Sequence, residues 1–297
     1  MNRMKGIDAM KVFMAFMAVC CHTIDHSLLN IREVIVPFFF IISGFFLFGK
    51  MTEDRRADLV YIRRWTLKAL RIYLIWTAIY LPFTIYGFIQ DELTLKQSVV
   101  LFIRNLFFVG ENFLSWPLWY LLSLCWTGLL FYCLRAARAS LWVYILLGAI
   151  IFIVPFVPCI RENDLFIKVF KGPSFPVFRG PFFMALGGLI RRYNIRVPLW
   201  GGFLLTVVGM VILQFTYLAG PLAAAGLFLF SRELSLPFVS DRLSLAFRDI
   251  SETIYLAHMI FAGTLLLAGM QKGIPLFVIS SVLVTLAAIG RYKLKTR

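Results

Sequence analysis

The chain has 297 residues, of which 61% are hydrophobic, with a mean hydropathy of +0.84 and a formal net charge of +15. A soluble globular domain of this composition would expose far too much apolar surface, so composition excludes that class. The basic residues recur in short clusters between apolar segments, which indicates membrane topology rather than a nucleic-acid partner. The five cysteines form no C-x-x-C pair, so we expect neither a metal site nor a disulfide.

Ten apolar segments are predicted, and the stretch 96–109 is predicted to be an interfacial helix. The segments lie at roughly 7–29, 34–49, 68–89, 115–134, 141–158, 177–190, 198–217, 219–231, 247–269 and 273–290. With the N-terminus inside, 21 of the 30 Lys and Arg residues fall in inside loops and 8 in outside loops. The predicted fold class is an all-α polytopic integral membrane protein with about ten transmembrane helices and both termini cytoplasmic.

The first segment carries the ionisable side chains Lys11, His22 and Asp25, and Asp8 lies at its start. Eleven steps of about 100° bring a helix back to within about 20° of its starting direction, so Lys11 and His22 share one stripe. Such residues usually face a bundle interior or a water-filled cavity, which makes the stripe the first candidate site. The alternative is that Lys11 snorkels to the cytoplasmic surface while His22 hydrogen-bonds a neighbouring helix.

Three later motifs each have a structural alternative. Ser43 precedes a glycine, a pair that often serves only to let helices approach closely. Lys68 and Arg71 share a face at the predicted cytoplasmic end of the third segment, where they could hold a nucleotide phosphate or simply anchor the helix. Trp119 begins the fourth segment, where an aromatic side chain usually marks the membrane interface.

The ninth segment brings Ser251, Tyr255 and His258 to one helical face. By helical rise, His258 lies about 15 Å into the membrane from Arg248, a depth comparable with that of His22. The two histidines could line one cavity, or each could be an interhelical hydrogen-bond donor with a satisfied partner.

Taken in order, these motifs resemble those of the acyltransferase 3 family of multi-span membrane acyltransferases, and the resemblance covers nearly the whole chain. That family opens with Asp-x-x-Arg, then ten residues and a His, and continues with Phe-Phe-x-x-Ser-Gly-Phe and a basic Arg-x-x-Arg cluster. A Leu-Trp-Phe-Leu-like segment and a late Ser-x-x-x-Tyr-Leu-x-His follow. The matching residues are Asp8, Lys11, His22, Phe39, Phe40, Ser43, Gly44, Phe45, Lys68, Arg71, Leu118, Trp119, Leu121, Ser251, Tyr255 and His258. Lys11 and Lys68 stand where the family has Arg, which keeps the charge but loses bidentate recognition.

The resemblance implies one membrane-embedded acyltransferase domain over residues 1–297, in the plasma membrane (the bacterial inner membrane). It implies O-acyl transfer, commonly of acetyl from acetyl-CoA, to a hydroxyl of a cell-envelope glycan or lipid-linked sugar. Two residues are assigned to catalysis. His22 is the general base, and Lys11, on the same stripe, could hold the phosphates of the donor or help polarise its thioester. The expected donor- and substrate-binding residues are Asp8, Ser43, Lys68, Arg71, Trp119, Tyr255 and His258.

The expected partners are acyl-CoA, the acceptor and membrane lipid, without a permanently bound cofactor, a metal or nucleic acid. Two other functions compete with acyl transfer: a multi-span transporter of a lipid or small solute, and a non-catalytic membrane subunit. The sequence leaves open the acceptor, the acyl chain, direct or covalent transfer, and the oligomeric state.

Overall fold

The computed structural model describes residues 4–24, 30–170 and 178–296, and every regular element in those ranges is helical. The helices are α1 (Lys5–Thr23), α2 (Arg32–Phe48), α3 (Arg55–Gln90), α4 (Leu95–Arg104), α5 (Trp119–Ala136), α6 (Leu141–Ile153), α7 (Pro158–Arg161), α8 (Asp164–Phe170), α9 (Arg179–Arg192), α10 (Leu199–Leu213), α11 (Gly220–Glu233), α12 (Asp241–Leu267) and α13 (Ile274–Thr296). A π-helical turn, Asn105–Val109, follows α4. The predicted all-α class is confirmed.

Five helices of the described chain are long and apolar enough to cross a membrane. They comprise Lys5–Thr23, Arg55–Gln90, Trp116–Ala136, Asp241–Leu267 and Ile274–Lys295. Leu141–Phe156 and Leu199–Leu213 are apolar but shorter, and α9 and α11 have 14 residues each, against the about 20 that a perpendicular span needs. The chain is therefore a multi-pass membrane protein, while the count of ten spans and the cytoplasmic termini stay predictions.

Several helix boundaries differ from the predicted segments, including those of the third and the first. The third segment was expected from residue 68, whereas α3 begins at Arg55 and runs for 36 residues. Its start is set by Asp54, whose side chain accepts a hydrogen bond from the Arg56 backbone N–H. The first segment was expected to reach residue 29, whereas α1 ends at Thr23, and Asp25 lies outside the described residues.

One compact unit comprises residues 1–39 and 196–297. Within it α1 packs against α12, α12 packs against α13, and α10 packs against α11. Gly209 lets α10 and α11 approach closely, since a Cβ there would meet the Ala223 backbone. The unit therefore holds the first and ninth segments, which carry the predicted histidines, on neighbouring helices.

A second compact unit comprises residues 40–195. Here α3 packs against α5, α6 packs against α9, and α5 also contacts α9. A buried ion pair joins α3 to α5, with Arg135 Nη2 2.7 Å from Oδ2 of Asp58, whose side chain is 1% exposed. The unit holds Ser43, Lys68, Arg71 and Trp119.

Candidate active site

The first turns of α1 hold a buried carboxylate. Asp8 accepts a hydrogen bond of 2.7 Å from Oγ of Ser244 on α12, and Nζ of Lys11 lies 3.6 Å from Asp8 Oδ1. The Lys11 side chain is only 14% exposed, so it is held beside Asp8 rather than extended into solvent as the snorkelling alternative requires. A charge withdrawn from water needs such partners, because its desolvation is otherwise very costly.

His22 and His258 meet where α1 packs against α12. The rings of His22 and His258 stack with their centroids 5.3 Å apart and their planes 24° from parallel. Helical rise places Lys11 about 16 Å from His22 along α1. Lys11 therefore lies on the same stripe as His22 but away from the stacked rings.

The hydrogen bond of His258 defines its tautomer. Nδ1 of His258 lies 2.8 Å from the Tyr255 carbonyl oxygen, which can only accept, so Nδ1 carries the proton. In the neutral ring, Nε2 is then left with a lone pair. His258 is fully buried, and its Nε2 has no hydrogen-bond partner among the described residues. A buried, unpartnered acceptor is costly, and such atoms are often found where a substrate binds.

The other two residues of the α12 motif play different parts. The ring of Tyr255 packs against the rings of Phe39 and His258, with centroid distances of 5.4 and 6.3 Å. The hydroxyl of Ser251 donates to the Arg248 carbonyl at 2.9 Å, within its own helix. Tyr255 thus lies beside the histidine pair, whereas Ser251 stabilises its own helix.

In the second unit, Ser43 pairs with a tyrosine. Its Oγ lies 3.1 Å from the hydroxyl of Tyr120 on α5, and Phe40, one turn earlier on α2, packs against the rings of Trp119 and Tyr120. A Cβ on the neighbouring Gly44 would clash with the Met184 carbonyl of α9. The Ser-Gly pair therefore does allow close helix approach, and its hydroxyl also joins α2 to α5.

Lys68 and Arg71 are exposed on α3. No carboxylate of the described chain lies within ion-pair distance of either side chain. Their positive charges are thus available to an anionic ligand.

Two residues of these contacts were not predicted from sequence. Ser244 lies seven residues before Ser251, and that spacing could have placed it on the same face of α12. Tyr120 follows Trp119 directly and carried no separate signal. Within the described ranges, no three His, Cys, Asp or Glu side chains are grouped closely enough to hold a metal ion.

Comparison with known proteins identifies the family. The sequence profile of the acyltransferase 3 family, an acyltransferase domain, matches residues 4–290. A serine/alanine racemase from Enterococcus gallinarum is 27% identical in an alignment of 249 residues, which covers 73% of this chain and 33% of that protein. An amino-acid racemase from Enterococcus faecalis is 28% identical in an alignment of 126 residues, which covers 39% of this chain and 18% of that protein. The chain therefore spans a third or less of the length of these curated relatives. No solved structure gives a significant match.

The profile covers nearly the whole chain, and its span includes both histidines, the buried Asp8 and the basic pair on α3. With its helical, multi-pass architecture, the chain belongs to the acyltransferase 3 family of membrane acyltransferases.

Proposed function

We propose that the chain transfers an acetyl group from acetyl-CoA to a hydroxyl of a cell-envelope carbohydrate, in the plasma membrane, with His22 as general base. The observation that carries this proposal is the stacking of His22 on His258, which brings together an imidazole of the family's first-span motif and one of its late motif.

The reaction needs a base because a sugar hydroxyl is a poor nucleophile at neutral pH. In direct transfer, His22 takes the hydroxyl proton while the oxygen attacks the thioester carbonyl. The tetrahedral intermediate then collapses with cleavage of the C–S bond, and the imidazolium returns the proton to the departing thiolate. In covalent transfer, His22 first carries the acetyl group and passes it to the acceptor in a second step. Each route yields an ester and free CoA.

His258 supports this chemistry in two ways. Its ring packs against His22 and limits the orientations open to that imidazole. Its buried Nε2 lone pair is suited to accept a hydrogen bond from a substrate hydroxyl, which would orient the acceptor. Tyr255, packed against His258, is assigned to the same substrate-binding surface.

The donor has its own set of cations. Coenzyme A is polyanionic, and the exposed charges of Lys68 and Arg71 suit its phosphates. Lys11, held by Asp8, is a further cation for the donor. Ser43 and Trp119 are assigned to substrate binding. The assignment is supported by the hydrogen bond between Ser43 and Tyr120 and by the packing of Trp119 against Phe40.

The second candidate is a multi-span transporter of a small solute. An amino acid is the solute to test, because the two curated relatives are named as racemases of serine, alanine or amino acids. Transport predicts uptake of labelled serine or alanine into vesicles without any acyl-CoA. Acyl transfer predicts no such uptake.

The test follows labelled acetyl from acetyl-CoA into the envelope glycan fraction of a host that lacks close relatives. We expect label with the wild type and none above background with His22→Ala. The matched control is Phe13→Ala, which truncates a ring that is 55% exposed on the same helix and should leave transfer unchanged. If vesicles with equal membrane levels of the protein took up serine and no acetyl label appeared, transport would replace acyl transfer as the proposed function.

A further inference from the structure

A second polar site lies at the end of α4, around an arginine held by neutral groups. Nε and Nη2 of Arg104 donate to Oδ1 of Asn105 at 3.0 and 2.7 Å, and its Nη1 donates to the Lys168 carbonyl at 3.0 Å. A guanidinium has five N–H bonds, so two remain for a ligand. No carboxylate of the described chain forms an ion pair with Arg104, and its positive charge is therefore uncompensated.

A buried network fixes the acceptor of that arginine. The Asn105 amide donates to Oδ1 of Asn112 at 2.8 Å, and the Asn112 backbone N–H donates to Ser115 Oγ at 2.6 Å. All three residues are buried, and Asn105 uses opposite ends of its amide for Arg104 and Asn112. Burying polar groups is costly unless they are hydrogen-bonded, so this network holds the guanidinium in one orientation.

The π-helical turn after Arg104 is anchored from two other helices. The Tyr73 hydroxyl of α3 donates to the Leu106 carbonyl, and the Trp126 indole N–H of α5 donates to the Phe107 carbonyl, each at 2.9 Å. π-Helical turns leave backbone carbonyls without their usual partners and are often found at functional sites. These two bonds keep the segment that carries the network from relaxing to a regular α-helix.

Arg104 lines a groove of about 670 Å³, within the range of small-ligand sites. Its lining includes an apolar wall formed by Leu93, Val100 and Leu101. It also includes three cations, Lys96, Arg104 and Lys168. None of the described residues that line the groove is acidic. Partial burial lowers the pKa of Arg104, because the charge is desolvated without a counter-ion in the described chain.

The surroundings of the groove suit a lipid. No residue of α4 is buried, and its apolar side chains include Leu95, Val100 and Ile103, which are 81%, 61% and 50% exposed. In a multi-pass membrane protein, a short amphipathic helix of this kind lies in the interface, with its apolar side towards the acyl chains. A ligand with a charged head and an apolar tail would satisfy both the three cations and the apolar wall.

We propose that this groove binds an anionic membrane phospholipid, its phosphate between Arg104, Lys96 and Lys168 and one acyl chain along Leu93, Val100 and Leu101. The two remaining N–H bonds of Arg104 donate to phosphate oxygens, and the lysines add charge. This proposal does not depend on acyl transfer, because lipid binding is measured without donor or acceptor.

The test is native mass spectrometry of the purified full chain, titrated with phosphatidylglycerol and with phosphatidylcholine. We expect a phosphatidylglycerol adduct that Arg104→Gln weakens by about tenfold or more, the usual size of a charge-assisted hydrogen bond. Lys96→Gln, remote from the buried network, should weaken it by a smaller factor without changing the thermal midpoint. The matched control is Arg161→Gln, an exposed arginine outside the groove, which should leave the adduct unchanged.

Equal adducts for Arg104→Gln and Arg161→Gln would overturn the proposal, as would equal binding of the two lipids. If inorganic phosphate displaced the lipid at a similar concentration, the groove would be a site for free anions and not for a phospholipid. Displacement by a polyprenyl phosphate at far lower concentration would replace the phospholipid by a lipid-linked sugar carrier.

Discussion

Two imidazole rings stacked 5.3 Å apart cannot both be protonated without strong charge repulsion. At least one of His22 and His258 is therefore neutral, which is the form that accepts a proton. Because His258 donates from Nδ1 to a backbone carbonyl, its ring is also fixed in place against His22. A general base needs a neutral ring in a defined orientation, and the fixed ring of His258 limits the orientations open to His22, the proposed base.

Lys11 provides a first test at the residue scale. Lys11→Gln should lower kcat/KM for acetyl-CoA by about tenfold or more, because it removes a cation from the donor site and an ion pair with Asp8. Lys11→Arg should retain activity, since it restores the residue that the family motif carries. Steady-state kinetics of CoA release measure the effect. Equal activity of Lys11→Gln and the wild type would remove Lys11 from the donor site.

Ser244 provides a second test. Ser244→Ala removes the hydrogen bond to the buried Asp8 carboxylate and should destabilise the fold by roughly 1.5–3 kcal/mol. The control is Ser280→Ala, since Oγ of the equally buried Ser280 has no hydrogen-bond partner among the described residues. Thermal unfolding in detergent compares the two variants. A Ser244→Ala midpoint as high as that of Ser280→Ala would mean that the bond contributes nothing.

Helical periodicity places His22 and His258 at a similar depth, and so it offers their meeting as one of two alternatives without choosing between them. It could not predict the bond from Ser244 to Asp8, which joins residues 236 positions apart in the chain. Such a contact depends on which helices pack together and how they are turned about their axes, and a local pattern contains neither.

At the scale of elements, Gly44 governs the contact between α2 and α9. A Cβ there would clash with the Met184 carbonyl, so Gly44→Ala must push the two helices apart. We expect a loss of about 1–3 kcal/mol, the usual cost of overpacking. Gly290→Ala, on α13 with nothing within 4 Å of the added Cβ, should instead leave stability unchanged or raise it slightly. Equal midpoints for the two variants in thermal unfolding would contradict this account.

The ion pair between α3 and α5 gives another prediction for elements. Arg135→Gln leaves the buried Asp58 carboxylate without its counter-ion and should cost about 3–5 kcal/mol. Arg138→Gln replaces an exposed residue three positions later and should hardly change the free energy of unfolding. Chemical unfolding of both variants measures the difference. If Arg135→Gln left the free energy of unfolding unchanged, the ion pair would be solvated in the native protein.

The predicted segments located most helices but not their ends. Apolar windows stop where charge begins, whereas α3 continues through Arg64, Arg63 and Arg56 to the cap at Asp54. Propensity, capping and the buried Asp58 sustain helix beyond the apolar part of the segment. Hydropathy therefore predicts the membrane portion of a helix and not its full length.

At the scale of the whole molecule, topology is the outstanding prediction. In a cysteine-free background, Tyr193→Cys should resist a membrane-impermeant thiol reagent in intact cells, and Glu162→Cys should react. Both positions are exposed, so access depends on the side of the membrane. The bias of Lys and Arg towards alternate loops is the reason for the expectation. Labelling of Tyr193→Cys in intact cells would contradict the proposed topology.

The role of His22 as general base is measured most directly by the rates of CoA release and acetyl-acceptor formation by purified wild type, His22→Ala and His258→Phe. We predict that His22→Ala loses at least about 10²-fold in rate, as removal of a general base should. His258→Phe keeps an aromatic ring against His22 but removes the buried lone pair, and should lose activity by a smaller factor. Unchanged acetyl transfer by folded His22→Ala would contradict the assignment of His22, even though the chain belongs to the family.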